Sequence, residues 1–177
     1  MLSIEILIAF FSASLLLALV PGPDNIFVLT QSIFQGKKSG LIIMLGLCTG
    51  LIFHTLAVAF GVAVVFQTSE IAFTILKIIG AMYLLYLAWQ IFNAPTEKID
   101  TENKDISIDY KKLYYRGIIM NITNPKVSIF FLAFLPQFTN PALGTVSLQM
   151  LLLGALFIFA TILIFGSIAL LSSSLSK

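Results

Sequence analysis

From Val146 to Leu171 the chain runs without a single charged side chain. That stretch exceeds the ~20 apolar residues needed to cross a hydrocarbon core ~30 Å thick. A segment of this kind belongs in lipid, and it constrains everything around it. Four more apolar stretches accompany it, at about residues 4–34, 39–66, 71–92 and 114–136. Composition agrees, with 59% of the 177 residues hydrophobic and 10% charged, against roughly 25% charged in a soluble domain. A soluble fold of this size has nowhere to hide so much apolar surface. Lipid offers the backbone no hydrogen-bond partner, so the spans are expected to be helices. Runs such as Leu151-Leu152-Leu153 and Phe157-Ile158-Phe159 lack the alternation of a membrane β-strand. The expected fold is an all-α, polytopic transmembrane helical bundle of five spans, one domain over residues 1–177. Residues 93–113 mix both charge signs and read as a solvated linker.

The first span has no basic start and flows into Pro21-Gly22-Pro23, so it reads as a retained helix and not a cleaved signal. Orientation follows from the basic residues. Lys37 and Lys38 follow span one, Lys98, Lys104, Lys111, Lys112 and Arg116 lie between spans three and four, and Lys177 follows span five. The N-terminus, the 67–70 turn and the 137–145 loop carry neither Lys nor Arg. The positive-inside rule then makes the linker cytoplasmic and places the N-terminus outside. Tyr110, Tyr114, Tyr115 and Trp89 gather at the same boundary as an aromatic belt.

Two spans are interrupted. Pro21-Gly22-Pro23-Asp24-Asn25 breaks the first, because two prolines remove backbone donors and the glycine removes steric restraint. A second half-helix should start near Pro23, its free N–H groups and positive dipole end pointing into the membrane. Asp24, Gln31 and Gln35 fall on one face of it. Asn121-Ile122-Thr123-Asn124-Pro125-Lys126 breaks the fourth span, where Pro125 frees carbonyls of the preceding turn. Asn121, Asn124 and Ser128 are expected on one face. Lys126 lies ten residues past Arg116, or ~15 Å into the membrane, too deep to snorkel, and Asp24 is its expected partner. The match of Asn121-Ile122-Thr123 to a glycosylation sequon is set aside because of its depth.

Span two carries Gly46, Gly50, His54 and Gly61 at steps of four, four and seven, a small-residue face suited to close helix packing. Gly80 is placed with these packing glycines. His54 on that face should point at protein, where it could relay a proton. Lys77, near the outer end of span three, is a candidate for gating or substrate contact, whereas Tyr83 and Tyr86 read as packing. With one cysteine, Cys48, and one histidine, the chain has no Cys-based metal cluster and no multi-histidine site. A thiol redox carrier and a hydrolase lack the residue pairs they need, so no enzyme activity, metal or cofactor is expected.

The broken spans open successive helix triplets, one of spans one to three and one of spans four and five plus a missing member. Three is odd, so the second triplet runs in the opposite sense, an inverted repeat with broken helices one and four. Paired interruptions at matching places in two halves point to a midplane transport site. Asp24, Asn25, Asn121, Asn124, Lys126, His54 and Lys77 are its candidate substrate and proton residues.

The chain also resembles the LysE/RhtB family of amino-acid exporters. The resemblance rests on Pro21-Gly22-Pro23, the series Gly36, Gly40, Gly46 and Gly50, the stretch Lys77-Ile78-Ile79-Gly80-Ala81-Met82-Tyr83-Leu84-Leu85-Tyr86, and Gly117 followed by Asn124-Pro125-Lys126. The run Phe130 to Phe138 is similar too. It implies a bacterial inner-membrane exporter of amino acids or their derivatives, driven by the proton gradient. It also implies six helices, where five are readable here. Substrate, bilayer and a second copy of the chain as a homodimer are the expected partners, and nucleic acid is not. The alternatives are an inorganic cation exporter, which would want more intramembrane carboxylates than Asp24, and an inactive or accessory membrane subunit, given that the sixth span is missing.

Overall fold

A computed structural model of the chain describes residues 2–62, 70–92 and 108–172. Helices account for nearly all of it, and no strand occurs among the described residues. The first span is α1 (Ile4–Leu19), capped by Ser3 Oγ on the Ile6 N–H, followed by α2 (Pro23–Gln35). Gly36, at φ +83°, turns the chain directly into α3 (Lys37–Ala57), a left-handed conformation that glycine adopts without steric cost. α3 continues through a π turn at Val58–Val62. α4 (Glu70–Phe92) follows, then α5 (Tyr110–Ile122), whose cap is Asp109 accepting from the Lys112 N–H. α6 (Pro125–Ile129) runs on through a π turn, Phe130–Phe134, and a 3-10 turn, Leu135–Phe138. α7 (Val146–Ser172) completes the bundle.

Two single helices, Lys37–Gly61 and Val146–Ser172, are long and apolar enough to cross a membrane, as are two bent pairs. The pairs α1/α2 and α5/α6 bend by 61° and 49° at their breaks. α4, with 23 residues, has the length of a further crossing. Ile4, Leu16, Phe60, Leu85, Leu148 and Leu171 are all exposed, an arrangement suited to lipid and a liability in water. The linker residues 93–107, the 63–69 turn, Lys177 and the Lys77 side chain lie outside the described residues.

α3 and α7 form the centre. α3 packs on α2, α5 and α7, while α7 packs on α1, α2 and α3. Apolar burial alone does not hold helices together in lipid, so close packing must. Gly46 and Gly117 supply it between α3 and α5. A Cβ at Gly46 would overlap the Tyr114 carbonyl and lie 3.1 Å from Gly117 Cα. Gly80 likewise seats α4 on Ala133. Gly61 departs from the expectation. It is exposed, and no described atom lies within 4 Å of an added Cβ. The π turn at Val58–Val62 inserts an extra residue per turn, so the four-residue phase that aligns Gly46, Gly50 and His54 is lost before position 61.

Two apolar clusters fill the interior. One gathers Phe10, Leu51, Phe130, Phe131, Leu153 and Phe157, and the other Val28, Ile43, Leu47, Leu113, Phe165 and Ala169. The polar residues of both breaks lie where these clusters meet.

Candidate functional site between two broken helices

The first break follows from which residues lack an N–H. In a continuous helix the Leu17 carbonyl would accept from residue 21, and Pro21 has no donor. The last carbonyls of α1 therefore look outside the helix for partners. Lys126 Nζ donates to Leu17 O at 3.4 Å and to Val20 O at 3.1 Å. Asn25 Nδ2 donates to Ala18 O at 2.8 Å. Gly22 leaves the space this needs, since a Cβ there would come within 3.2 Å of Lys126 Nζ.

The second break repeats the device. The Asn121 carbonyl would be served by residue 125, which is a proline. It accepts instead from the Asn124 N–H at 3.1 Å and from His54 Nε2 at 3.2 Å. A carbonyl only accepts, so Nε2 of His54 carries the hydrogen. The ring lies 5.6 Å from the Phe131 ring. Asn124 caps α6 through Oδ1, which accepts from the Lys126 N–H at 3.0 Å. Its Nδ2 is thereby turned to Asp24, donating to Oδ2 at 2.8 Å. Because the helix restarts at Asn124, the expected common face of Asn121, Asn124 and Ser128 does not exist as one helical stripe.

Asp24 and Lys126 hold equivalent places, each the second residue of a half-helix that begins with proline. The dipole at such an end favours Asp24 and opposes Lys126. Lys126 is offset by the carbonyls at the opposite, negative end of α1. The expected direct Asp24–Lys126 ion pair is not formed. The ammonium is drawn to the carbonyls that the prolines leave free, and the carboxylate to the Asn124 amide.

Asp24 and Lys126 are 3% and 7% exposed, and both line one cavity with Asn121. Its room is for about one water molecule. Asp24 Oδ1 and Asn121 Oδ1 are buried without a partner. Such orphaned acceptors cost about 1–3 kcal/mol each, so the site is short of a donor. Gly50 seats Asn121, whose side chain would stand 2.6 Å from a Cβ at that position. Of the sequence candidates, Asp24, Asn121 and Lys126 line the cavity; Asn25, Asn124 and His54 hold the breaks around it. Three cavity residues on α7, Phe157, Thr161 and Phe165, were not found from sequence.

The sequence matches the LysE type translocator family over residues 15–177. The chain belongs to that family. A homoserine/homoserine lactone efflux protein of Salmonella typhi is 34% identical over 168 residues, covering 95% of this chain and 81% of the relative. A Bacillus subtilis (strain 168) protein, described as uncharacterized membrane protein YrhP, is 30% identical over 167 residues, covering 90% of this chain and 79% of that one. No solved structure matches. Membership makes this a membrane translocator.

Proposed function

We propose that the protein exports amino acids or close derivatives across a bacterial inner membrane by proton antiport, with its N-terminus outside. The observation that carries this reading is the pair of orphaned acceptors, Asp24 Oδ1 and Asn121 Oδ1, beside the buried Lys126 ammonium. A zwitterion fits that set. Its ammonium donates to the two oxygens, and its carboxylate meets Lys126 and the first N–H groups of α2, which no side chain caps. Formal charges of site and substrate each sum to zero, so an exchange between them moves no net charge into lipid. The efflux relative from Salmonella typhi supports the direction and substrate class.

Binding draws Lys126 from the α1 carbonyls towards the carboxylate, loosening the first break. A proton arriving from outside on Asp24 Oδ1 then removes the charge that holds the ammonium, and the amino acid leaves. The chain supplies the carboxylate and the proton gradient supplies the energy, with no cofactor involved. The topology is supported by the basic residues. Lys38 of α3 stacks on Tyr110 at 4.4 Å and Arg116 of α5 on Phe27 at 4.5 Å, bringing basic residues of two helices together.

The test is efflux from cells expressing the protein or its Asp24→Asn variant. Amino acid should accumulate outside with the first and not the second, at equal membrane abundance. Normal export by Asp24→Asn would overturn the carboxylate role. For topology, labelling of Lys104→Cys from outside intact cells, without labelling of Thr145→Cys, would reverse the orientation.

A further inference from the structure

Pro136 loosens the second bent pair once more, beyond its break. In a continuous helix residue 136 would donate to the Leu132 carbonyl, and a proline has no donor. The ladder adapts. The Leu135 N–H reaches five residues back to the Phe130 carbonyl, and Gln137 Nε2 serves the Ala133 carbonyl at 2.7 Å. The result is the π turn Phe130–Phe134 and the 3-10 turn that follows it. This stretch leads from the cavity towards the 137–145 loop. Lys126, Phe130, Phe134 and Phe138 follow one another at four-residue steps. Ring centroids are 4.7 Å apart between Phe130 and Phe134, and 4.9 Å between Phe134 and Phe138. Two neighbouring helices close the column. Phe10 of α1 lies 5.9 Å from Phe130 and 5.2 Å, edge-on, from Phe138. Phe157 of α7 lies 5.1 Å from Phe130 and is itself a wall of the cavity. Phe10 and Phe130 are fully buried, whereas Phe134 and Phe138 are half-buried.

We propose that Phe130, Phe134 and Phe138 are the outer gate of the cavity, with Phe10 as their seat and the π turn as their hinge. The inference rests on the orientation and exporter reading above, and adds the conformational step that release needs. Lipid accommodates phenylalanine as readily as a protein interior does, so hydrophobicity alone does not explain rings gathered over the cavity. The chain from Pro125 to Phe138 is tied to α1 at two levels. Lys126 holds the Leu17 and Val20 carbonyls, and the column holds Phe10, about 10 Å further out along α1. A solute carboxylate that draws Lys126 away undoes the inner tie and leaves the rings to hold the seam. Tilted and edge-on ring contacts are individually weak. A turn that has already left α-helical bonding re-registers without breaking a regular ladder. Lys126 and Phe130 are one turn apart, so binding at the first is felt directly at the second.

The experiment follows a thiol placed in the cavity, Thr161→Cys in a Cys48→Ala background, with a membrane-impermeant methanethiosulfonate. Intact cells report the outer face and everted vesicles the inner one, and Thr145→Cys marks which face is outer. Phe130→Ala should raise the outer labelling rate roughly tenfold through lost ring contacts and leave the inner rate unraised. Phe134→Ala, a change at a half-buried position, should raise it by less on the same face. Phe11→Ala, whose ring stacks on exposed Phe159 at 5.8 Å, should change neither. An unchanged outer rate in both Phe130→Ala and Phe134→Ala overturns the gate. So does an equal rise on both faces, which marks general loosening, or a rise on the inner face alone. Should Phe130→Ala fail to reach the membrane, Phe134→Ala decides. The exporter reading is judged apart, by efflux from cells carrying wild-type protein, and labelling of Thr145→Cys judges the orientation.

Discussion

The two broken helices are built on one plan and differ in self-sufficiency. Each restarts with proline and puts a charged residue second, Asp24 in one and Lys126 in the other. The second break repairs itself: Asn124 caps the new helix with its side chain and serves the Asn121 carbonyl with its own N–H. The first has no side-chain cap on α2, and its Leu17 and Val20 carbonyls rely on Lys126 from the other broken helix. Asn124 also holds Asp24. The first break is thus kept in place by the second. On the exporter reading, a solute that engages Lys126 or Asp24 competes with the bonds that hold the first break.

The largest break in this comparison should come from Lys126→Gln. It takes the charged donor from the α1 carbonyls, at about 1.5–3 kcal/mol, and leaves Asp24 without a cation nearby. Export should fall about a hundredfold, with a lower melting temperature in detergent. The double variant Asp24→Asn/Lys126→Gln should be more stable than either single one, though equally inactive; a double variant less stable than both would refute the shared charge balance.

Asn124→Ala removes a helix cap and the amide on Asp24 together. A loss of about 2 kcal/mol is expected, read by thermal unfolding, and efflux should fall with it. Were the breaks independent, only the cap's share, about 1 kcal/mol, would appear.

The prolines give a sharper contrast. Pro21→Ala restores a donor for Leu17 O and displaces a bond from Lys126, which should cut efflux roughly tenfold. Pro125→Ala restores a donor to a carbonyl already holding two and should cost no more than about threefold. Equal losses would erase the asymmetry.

His54 should give the smallest effect. His54→Leu loses one hydrogen bond of about 1 kcal/mol to the Asn121 carbonyl, and efflux should drop about fivefold. His54→Gln, with an amide donor in similar reach, should recover most of it. A proton relay would fail in both variants, so recovery by glutamine assigns His54 to positioning.

Sequence made the breaks legible because prolines and charges are rare in apolar runs and costly there. What paired with what was not legible. Opposite charges at similar depth suggested a direct Asp24–Lys126 bond, whereas freed carbonyls, invisible as letters, proved the stronger claim on Lys126. Spacing arguments also failed wherever the helix changed pitch, at Gly61 beyond the Val58–Val62 turn and at Ser128 beyond the Asn124 restart. Thr161 and Gly154 escaped notice because α7 is apolar all the way round, so no polar stripe marks its inward face. In the structure Gly154 lies against Thr55, and only packing reveals it.

The cavity's room for one water has a consequence for when such a carrier works. An amino acid is several times larger than water, so binding one needs a wider conformation than this, and apparent affinity falls in proportion to that state's population. If that state is ~1% occupied, binding is weakened about a hundredfold. On the exporter reading, the tight cavity makes the cost of opening, and not only the contacts made, a part of the affinity for the solute.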